Sequence, residues 1–502
     1  MKIKFPYFHP GIQSILHYVG LLLHVPGIMA LASLPVCIWF GEYDAIWPFL
    51  ATAIASGTTG QFCYRLFRHI QPIRLRHAML IAAISWAIIP LLGAIPFWAI
   101  AINANLQTPQ TVLEFQHFEN ALFEAFSGFT STGLTVTLHE NELPHSLQWW
   151  RSFTQWIGGV GIIVLVLSTL EPSTEADQLY RSEGRQQHIG LTVKETVRRI
   201  WWVYLIYTGL GMILLHIAGM PCWDAINHGF TGIATGGFSI RDQSLGSYSP
   251  MIQLAVIPLM IAGAISFPIH YQLITQRRLS ALWQDSQHRA LWLLLFLGVL
   301  ALLLETYWFS GTVLWLDSLF QWVSALGTCG FETVDLDSWS PSSKLLLSLA
   351  MVIGGTAGST VGGLKLRRLI VFYKAVVWRF RQLDLKPHQL MRYQLDNKVL
   401  TESAANNMIA SAAVLAILWI GAIALGVLIL LHLVPEASLI NIVFETASAL
   451  GSVGLSVGIT GPDLHWLGKL TLIVLMWLGR LEIIPVLVLL SSLLGVGNQI
   501  KH

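Results

Sequence analysis

Runs of predominantly apolar residues long enough to cross a bilayer recur along this chain, and they leave it few folds. A span needs about 20 such residues. Ten runs qualify: about 14–41, 47–64, 78–103, 149–170, 200–219, 251–276, 290–310, 345–378, 406–433 and 466–497. Charge supports that reading. Only 11% of the 502 residues are Asp, Glu, Lys or Arg, against about 25% in soluble domains. A formal net charge of +2 is too small to point to nucleic acid. The four cysteines, Cys37, Cys63, Cys222 and Cys329, show no paired spacing, so neither a disulfide framework nor a zinc site is indicated. An all-α polytopic membrane protein is expected.

Basic residues set the expected orientation. With the N-terminus inside, the inside regions are 65–77, 171–199, 277–289 and 365–405 together with both termini, and they hold 24 of the 29 Lys and Arg residues, among them Lys2, Lys4, Arg68, Arg185 and Lys501. Arg151, Arg241, Lys344 and Lys469 fall outside, and Arg480 falls within a span. Such a split predicts cytoplasmic termini.

Four outside connections share one pattern. Each has a short apolar helical stretch (117–130, 222–234, 315–327, 438–451), too short to span, followed by a small polar residue, one variable residue, glycine, then Leu or Phe. The copies are Ser131-Thr132-Gly133-Leu134, Thr235-Gly236-Gly237-Phe238, Thr328-Cys329-Gly330-Phe331 and Ser452-Val453-Gly454-Leu455. In the second copy either Gly236 or Gly237 can be the equivalent residue. The repeating unit reads as outer helix, re-entrant pore helix, glycine strand, inner helix. It divides the chain into two extra N-terminal helices (1–70) and pore repeats at 71–199, 200–289, 290–400 and 401–502. Extended backbone at membrane depth survives only buried in protein or lining a watery cavity. Four such strands around one axis would offer carbonyls to a dehydrated cation, and small residues that merely allow close helix packing are the plainer reading of any single copy.

Two further features stand out. Gly354, Gly355, Gly358, Gly362 and Gly363, with Ser359 and Thr360, fall within ten residues of one apolar run. Glycine costs about 1 kcal/mol in a helix interior, so this helix should break inside the membrane, as a gate or as a packing surface. Arg480, placed mid-span, costs at least about 2.5 kcal/mol unless it faces protein or water, and Glu482 lies on the wrong side of the helix to pair with it. Glu124, Asp224, Asp317 and Glu445, on or near the pore helices, and Glu332 would either concentrate cations at the mouth or cap helices. The polar inside loops at 171–199 and 365–405 could bind anionic lipid or a cytosolic partner. No glycine-rich phosphate loop follows a strand.

These residues resemble the Trk/Ktr/HKT superfamily of potassium transporters, most of all its bacterial TrkH branch. The likeness runs over about 78–497. It is strengthened by Gln155-Trp156-Ile157-Gly158-Gly159-Val160-Gly161, read as opening the first inner helix, by Gly354–Gly363, and by Gly479-Arg480-Leu481-Glu482. The resemblance implies potassium uptake, with the ion as substrate bound at the first three residues of each copy, Ser131–Gly133, Thr235–Gly237, Thr328–Gly330 and Ser452–Gly454, and no cofactor. It implies a gate at Gly354–Gly363 and Arg480, a homodimer, a cytosolic nucleotide-binding regulatory subunit of the TrkA type, and the bacterial inner membrane. Glycine at all four signature positions resembles the potassium-conducting members. Cys329, where threonine is usual, and Ser452-Val453, where proline-containing variants are common, depart from the pattern. The rivals are a sodium-permeable or proton-coupled member of the same family, an organic-solute transporter with inverted repeats, and an intramembrane enzyme, for which no catalytic constellation is visible.

Overall fold

The structure is a computed structural model that describes residues 10–67, 72–104, 108–167, 174–182, 192–384, 386, 389, 391–396 and 398–494. Lys2, Lys4, Arg68, Arg185, Lys501, both termini and part of the 171–199 loop lie outside the described residues.

The chain opens with a helical hairpin. Pro10–Leu22 and His24–Trp39 run on from one another and fold back on Ile46–Leu66. At their closest approach a Cβ on Gly20 would sit 2.7 Å from the Tyr64 backbone nitrogen, so only glycine fits. The hairpin is fastened to the next part of the chain by Glu42, whose carboxylate accepts from the backbone N–H groups of His145 (2.6 Å) and Ser146 (2.9 Å). Those N–H groups open a helix and have no partner within it.

Four units of like order follow. The outer helices are Leu75–Gly93 continued by Ile95–Ile102, Val193–Ile217, Ser286–Ser310 and Glu402–Leu433. The short helices are Phe118–Phe129, Cys222–Ile233, Trp315–Leu326 and Leu439–Gly451. Burial orders them radially. The most apolar stretches of Ser286–Ser310 and Glu402–Leu433 are only 22% buried, as lipid-facing helices should be, while every residue from Phe444 to Gly451 is buried. The short helices therefore form the centre. They carry buried Glu124, His228, Gln321 and Glu445, so the polar groups lie inside and the apolar rim faces outward.

The inner helices differ from expectation. All four are broken, not the third alone. His145–Val160 stops at Gly161 (φ +96°) before Ile162–Leu167. Pro250–Ala264 bends by 106° into Phe267–Gln276, and Trp466–Arg480 bends by 116° into Ile484–Leu493. Pro341–Ile353 is separated from Leu366–Leu383 by the glycine loop. Gln155–Gly161 thus closes a helix rather than opening one. Hydropathy runs unbroken across each bend, so apolar runs cannot reveal it. The cues are Pro268 and Pro485, each in the first turn of a second half-helix, where a missing N–H costs nothing. Among the described residues five helices are long and apolar enough to cross a membrane, and the two bent pairs raise this to seven. Of the other expected spans, Ile46–Leu66 is more polar and the remaining two are interrupted. A small hairpin, Tyr393–Leu395 with Lys398–Leu400, is the one strand pair among the described residues.

Candidate functional site

The four glycine strands form a closed ring. Each short helix ends in the same turn: Ser131, Thr235, Thr328 and Ser452 all adopt positive φ (+53°, +50°, +43° and +51°). In the first copy the N–H of Thr132 reaches the Ser127 carbonyl and that of Ser131 reaches Gly128. The other three copies repeat this pair of bonds, from Gly236 and Thr235, Cys329 and Thr328, and Val453 and Ser452. This is a Schellman cap made without glycine at its left-handed position, and it turns the following residues out of the helix. The next positive φ falls at Gly133, Gly237, Gly330 and Gly454 (+98°, +81°, +75°, +101°). This places Gly237, not Gly236, in register with the other three.

What surrounds these glycines closes the circle. A Cβ on Gly133 would strike the carbonyl oxygen of Gly236. One on Gly237 would lie 2.5 Å from the carbonyl of Cys329, one on Gly330 would strike that of Val453, and one on Gly454 that of Thr132. Each strand's glycine abuts the carbonyl preceding the next strand's glycine, in the order first, second, third, fourth, first. The twelve residues singled out in the sequence are therefore brought together, and no side chain larger than hydrogen fits at the four contacts.

A shell of polar side chains holds the strands from behind. Seven residues before each strand's first residue stand Glu124, His228, Gln321 and Glu445. Glu124 accepts from the Thr135 hydroxyl (2.9 Å) and the Val136 N–H (3.1 Å). His228 Nε2 lies 3.0 Å from the Ser239 hydroxyl, and Gln321 donates to Thr333. Glu445 takes Ser456 (2.9 Å), the Val457 N–H (3.2 Å) and Thr460. Glu124 and Glu445 are fully buried, so they brace backbone rather than present a field to ions at the mouth. Asp224 is likewise occupied by Arg241 (2.7 Å) and Tyr248 (2.6 Å), and Asp317 accepts from Thr333 (2.8 Å). Arg151, placed outside by its charge, is 1% exposed and joins two strands. Its guanidinium donates to Glu124 (2.7 Å), to Thr135 (3.1 Å) and to the Ser239 carbonyl (2.7 Å). Glu140, in the turn after the first strand, lies 3.9 Å from Arg151, and burial pushes its carboxyl up to about 8 against the pull of that arginine.

A second fourfold position lies three residues into each inner helix: Gln148, Gln253, Lys344 and Lys469. Each donates to a carbonyl of its own outer turn, Glu140, Leu245, Asp337 and Pro462 respectively. Three also reach the neighbouring unit. Gln148 accepts from Trp223 (2.8 Å), Lys344 donates to Asn441 (2.9 Å), and Lys469 to Asn120 (2.5 Å). Lys344 also lies 3.1 Å from Asp337 and, with Asn441, holds that carboxyl below the usual range. Lys469→Met will leave the buried Asn120 and the half-buried Pro462 carbonyl without this donor and lower stability by about 1–3 kcal/mol. Lys469→Gln, the residue type of the first two units, will restore part of it. Unfolding midpoints in detergent measure both.

The interrupted third inner helix supplies the floor. In 354–365, positive φ occurs at Gly354, Gly358, Gly363 and Lys365. The loop lies under three strands: Thr360 accepts from Thr235 (3.3 Å), the Gly362 N–H reaches the Thr328 hydroxyl (2.9 Å), and the Gly363 N–H reaches the Gly451 carbonyl (3.1 Å). It also satisfies carbonyls freed by the bend in the second inner helix. Thr356 donates to Ala264 (2.7 Å) and Thr360 to Gly263 (3.0 Å), as irregular backbone at this depth requires. Ser359 turns back onto the Thr356 carbonyl, and Gly355 packs against Val361. Arg480 donates to the Gly158 and Gly159 carbonyls and lies over the Trp86 ring, 4.9 Å from its centre. Between it and the loop is a cavity of 40 Å³ that Ser452 also lines. Glu482 does pair, but with Lys365 (2.8 Å) and Arg368 from the third inner helix.

Reading the sequence copy by copy missed this shell. Aligning the four units on their strand glycines exposes it: the hydroxyls Ser127, Thr231, Ser324 and Ser448 stand six residues before, and Gly158, Gly263, Gly354 and Gly479 recur thirteen residues into the inner helices.

The chain resembles proteins already described. The profile of the cation transport protein family TrkH matches residues 49–501. An uncharacterized cation transporter of Methanocaldococcus jannaschii is 33% identical over 487 residues, 96% of each chain. The Trk system potassium uptake protein TrkH of Vibrio parahaemolyticus is 31% identical over 95% of this chain and 98% of its own. The crystal structure of the potassium transporter TrkH from Vibrio parahaemolyticus superposes with a TM-score of 0.80 at 28% identity, covering 96% of this chain and 99% of that one. A profile match over most of the length, relatives above 30% identity and a shared helical architecture agree, and the chain belongs to the TrkH family of membrane cation transport proteins.

Proposed function

We propose that this protein takes up potassium through a single-chain pore whose filter is the ring of Ser131–Gly133, Thr235–Gly237, Thr328–Gly330 and Ser452–Gly454. The observation that carries the reading is the cyclic contact of each strand's glycine with the next strand's carbonyl. Carbonyls crowded about one axis replace the water shell of an alkali cation. The names of the relatives, potassium uptake proteins, support potassium as the cargo. Below the ring the loop 354–363 acts as the gate and Arg480 opposes unrestricted cation flow. The membrane potential drives entry with about 2.3 kcal/mol per charge per 100 mV. A homodimer in a bacterial inner membrane with cytoplasmic termini, regulated by a TrkA-type cytosolic subunit, completes the reading by family likeness. A proton-coupled version is disfavoured because, of the two acids within spans that a relay would use, Glu482 is held by two cations and Glu305 accepts from the Ser340 hydroxyl (3.0 Å).

Potassium and rubidium flux into proteoliposomes under an imposed negative interior potential tests the proposal. The wild type should pass both ions. Gly133→Ser should cut potassium flux by about tenfold or more, a loss that corresponds to about 1.4 kcal/mol, while raising the relative share of sodium. Solute-dependent currents with no potassium flux would refute it.

A further inference from the structure

Two cavities lie in series beneath the ring. The upper holds 40 Å³ and the lower 340 Å³. They share Gly358, Lys365 and Glu482 as lining, so these residues are the wall between them. Lys365 Nζ lies 2.8 Å from Glu482, and the Arg368 guanidinium holds the other carboxylate oxygen. All three side chains are at most 19% exposed.

The backbone at both ends of this cluster is unusual. Lys365, where the loop ends, has φ +73°, and Glu482 and Ile483, in the break of the last inner helix, have +55° and +69°. Positive φ in a β-branched residue is a genuine outlier, and such strain persists only where the surroundings fix it. The ion cluster ties the two strained segments together, two residues from Arg480.

The upper cavity has a free ligand group. Of the four equivalent hydroxyls at the base of the ring, Ser131 donates to the Gln155 carbonyl, and Thr235 and Thr328 bond the loop. Ser452, 4% exposed, finds no partner among the described residues and lines the cavity. The loop thus bonds a hydroxyl under the second and third strands but only the Gly451 carbonyl beside the fourth, which leaves the Ser452 hydroxyl facing the chamber.

We infer that Lys365, Arg368 and Glu482 form a latch, a second barrier in series with the loop, which closes the chamber at Ser452 from the lower cavity. The inference rests on the conduction reading, and it assigns the three charged groups as positioning residues that hold the loop against the last inner helix.

The chamber is too small for a trimethylammonium methanethiosulfonate reagent unless it merges with the lower cavity. The test is the rate at which that reagent modifies Ser452→Cys, scored by mass against the same protein with Ser452 intact. Removing a charge from a buried ion cluster is strongly destabilising to it, so Glu482→Gln should raise the rate by about tenfold or more. Lys365→Met, which keeps Glu482 paired with Arg368 and so preserves folding, should raise it as well. Lys365→Glu combined with Glu482→Lys should return it to the starting value. Equal rates in all four backgrounds would overturn the latch. Potassium flux through the wild type and the latch variants with Ser452 intact is a separate readout: faster modification in the cysteine series with no flux in any Ser452-intact protein would sustain the latch and refute conduction.

Discussion

Gly237→Ala will abolish potassium flux, falling by at least about 100-fold, whereas Gly236→Ala will retain much of it. Both positions are glycine and adjacent, yet their surroundings differ. Gly237 has φ +81°, and an added methyl would lie 2.5 Å from the Cys329 carbonyl and 2.8 Å from the Gly330 Cα. Both obstacles are backbone of the neighbouring strand. A non-glycine residue in such a conformation costs about 1–3 kcal/mol, and the ring must also open to admit the methyl. At Gly236 φ is not positive and the methyl would meet the Gln155 side chain, which also holds the Gly236 carbonyl and the Phe238 N–H, so the cost is a shifted side chain and its bonds rather than a displaced neighbouring strand. Flux in proteoliposomes at matched protein density measures the difference. A Gly237→Ala protein conducting within about threefold of wild type would remove the ring contact as the basis of conduction, since 1.4 kcal/mol already means tenfold.

Arg151→Leu will destabilise the folded protein by about 3–5 kcal/mol, the usual cost of leaving one member of a buried ion pair behind. Its side chain is 1% exposed and its partner Glu124 is fully buried. Without the guanidinium, the Glu124 carboxylate keeps only the hydroxyl and amide donors of 135–137, and the Ser239 carbonyl loses its donor. Because Arg151 joins the segments after the first and second strands, ion discrimination should weaken along with stability. Adding Glu124→Gln removes the stranded charge and should recover part of the loss. Denaturation in detergent and the potassium-to-sodium flux ratio check the two effects separately. A single variant within 1 kcal/mol of wild type, an order-of-magnitude threshold against that cost, would show that the pair contributes little.

The strands were legible in the sequence because their constraint is local. Positive φ beside a close backbone contact leaves room only for glycine, and four copies at one place in the topology stand out against any accidental match. The loop was legible for the same reason, since Gly354 to Gly363 defeat a helix by their own propensity. The braces were harder to see. Arg151, Lys344 and Lys469 look like mouth charges when only the hydropathy of their neighbourhood is read, and Glu124 and Glu445 look like an attracting field. Their partners lie in other units: Asn120 is 349 residues from Lys469. Spacing within a unit reveals that a polar residue recurs, but not what it touches.

The sequence by itself determined that the chain is a helical membrane protein with four glycine-bearing strands, because bilayer thickness and backbone sterics act on consecutive residues. Only the tertiary structure decided that Gly237 rather than Gly236 joins the ring, that all four inner helices break, and that Glu482 pairs with Lys365 and Arg368 instead of standing alone near Arg480. Those outcomes depend on which groups meet across units, where the cost of burying an unpaired charge or carbonyl selects the partner, and residues far apart along the chain supply it.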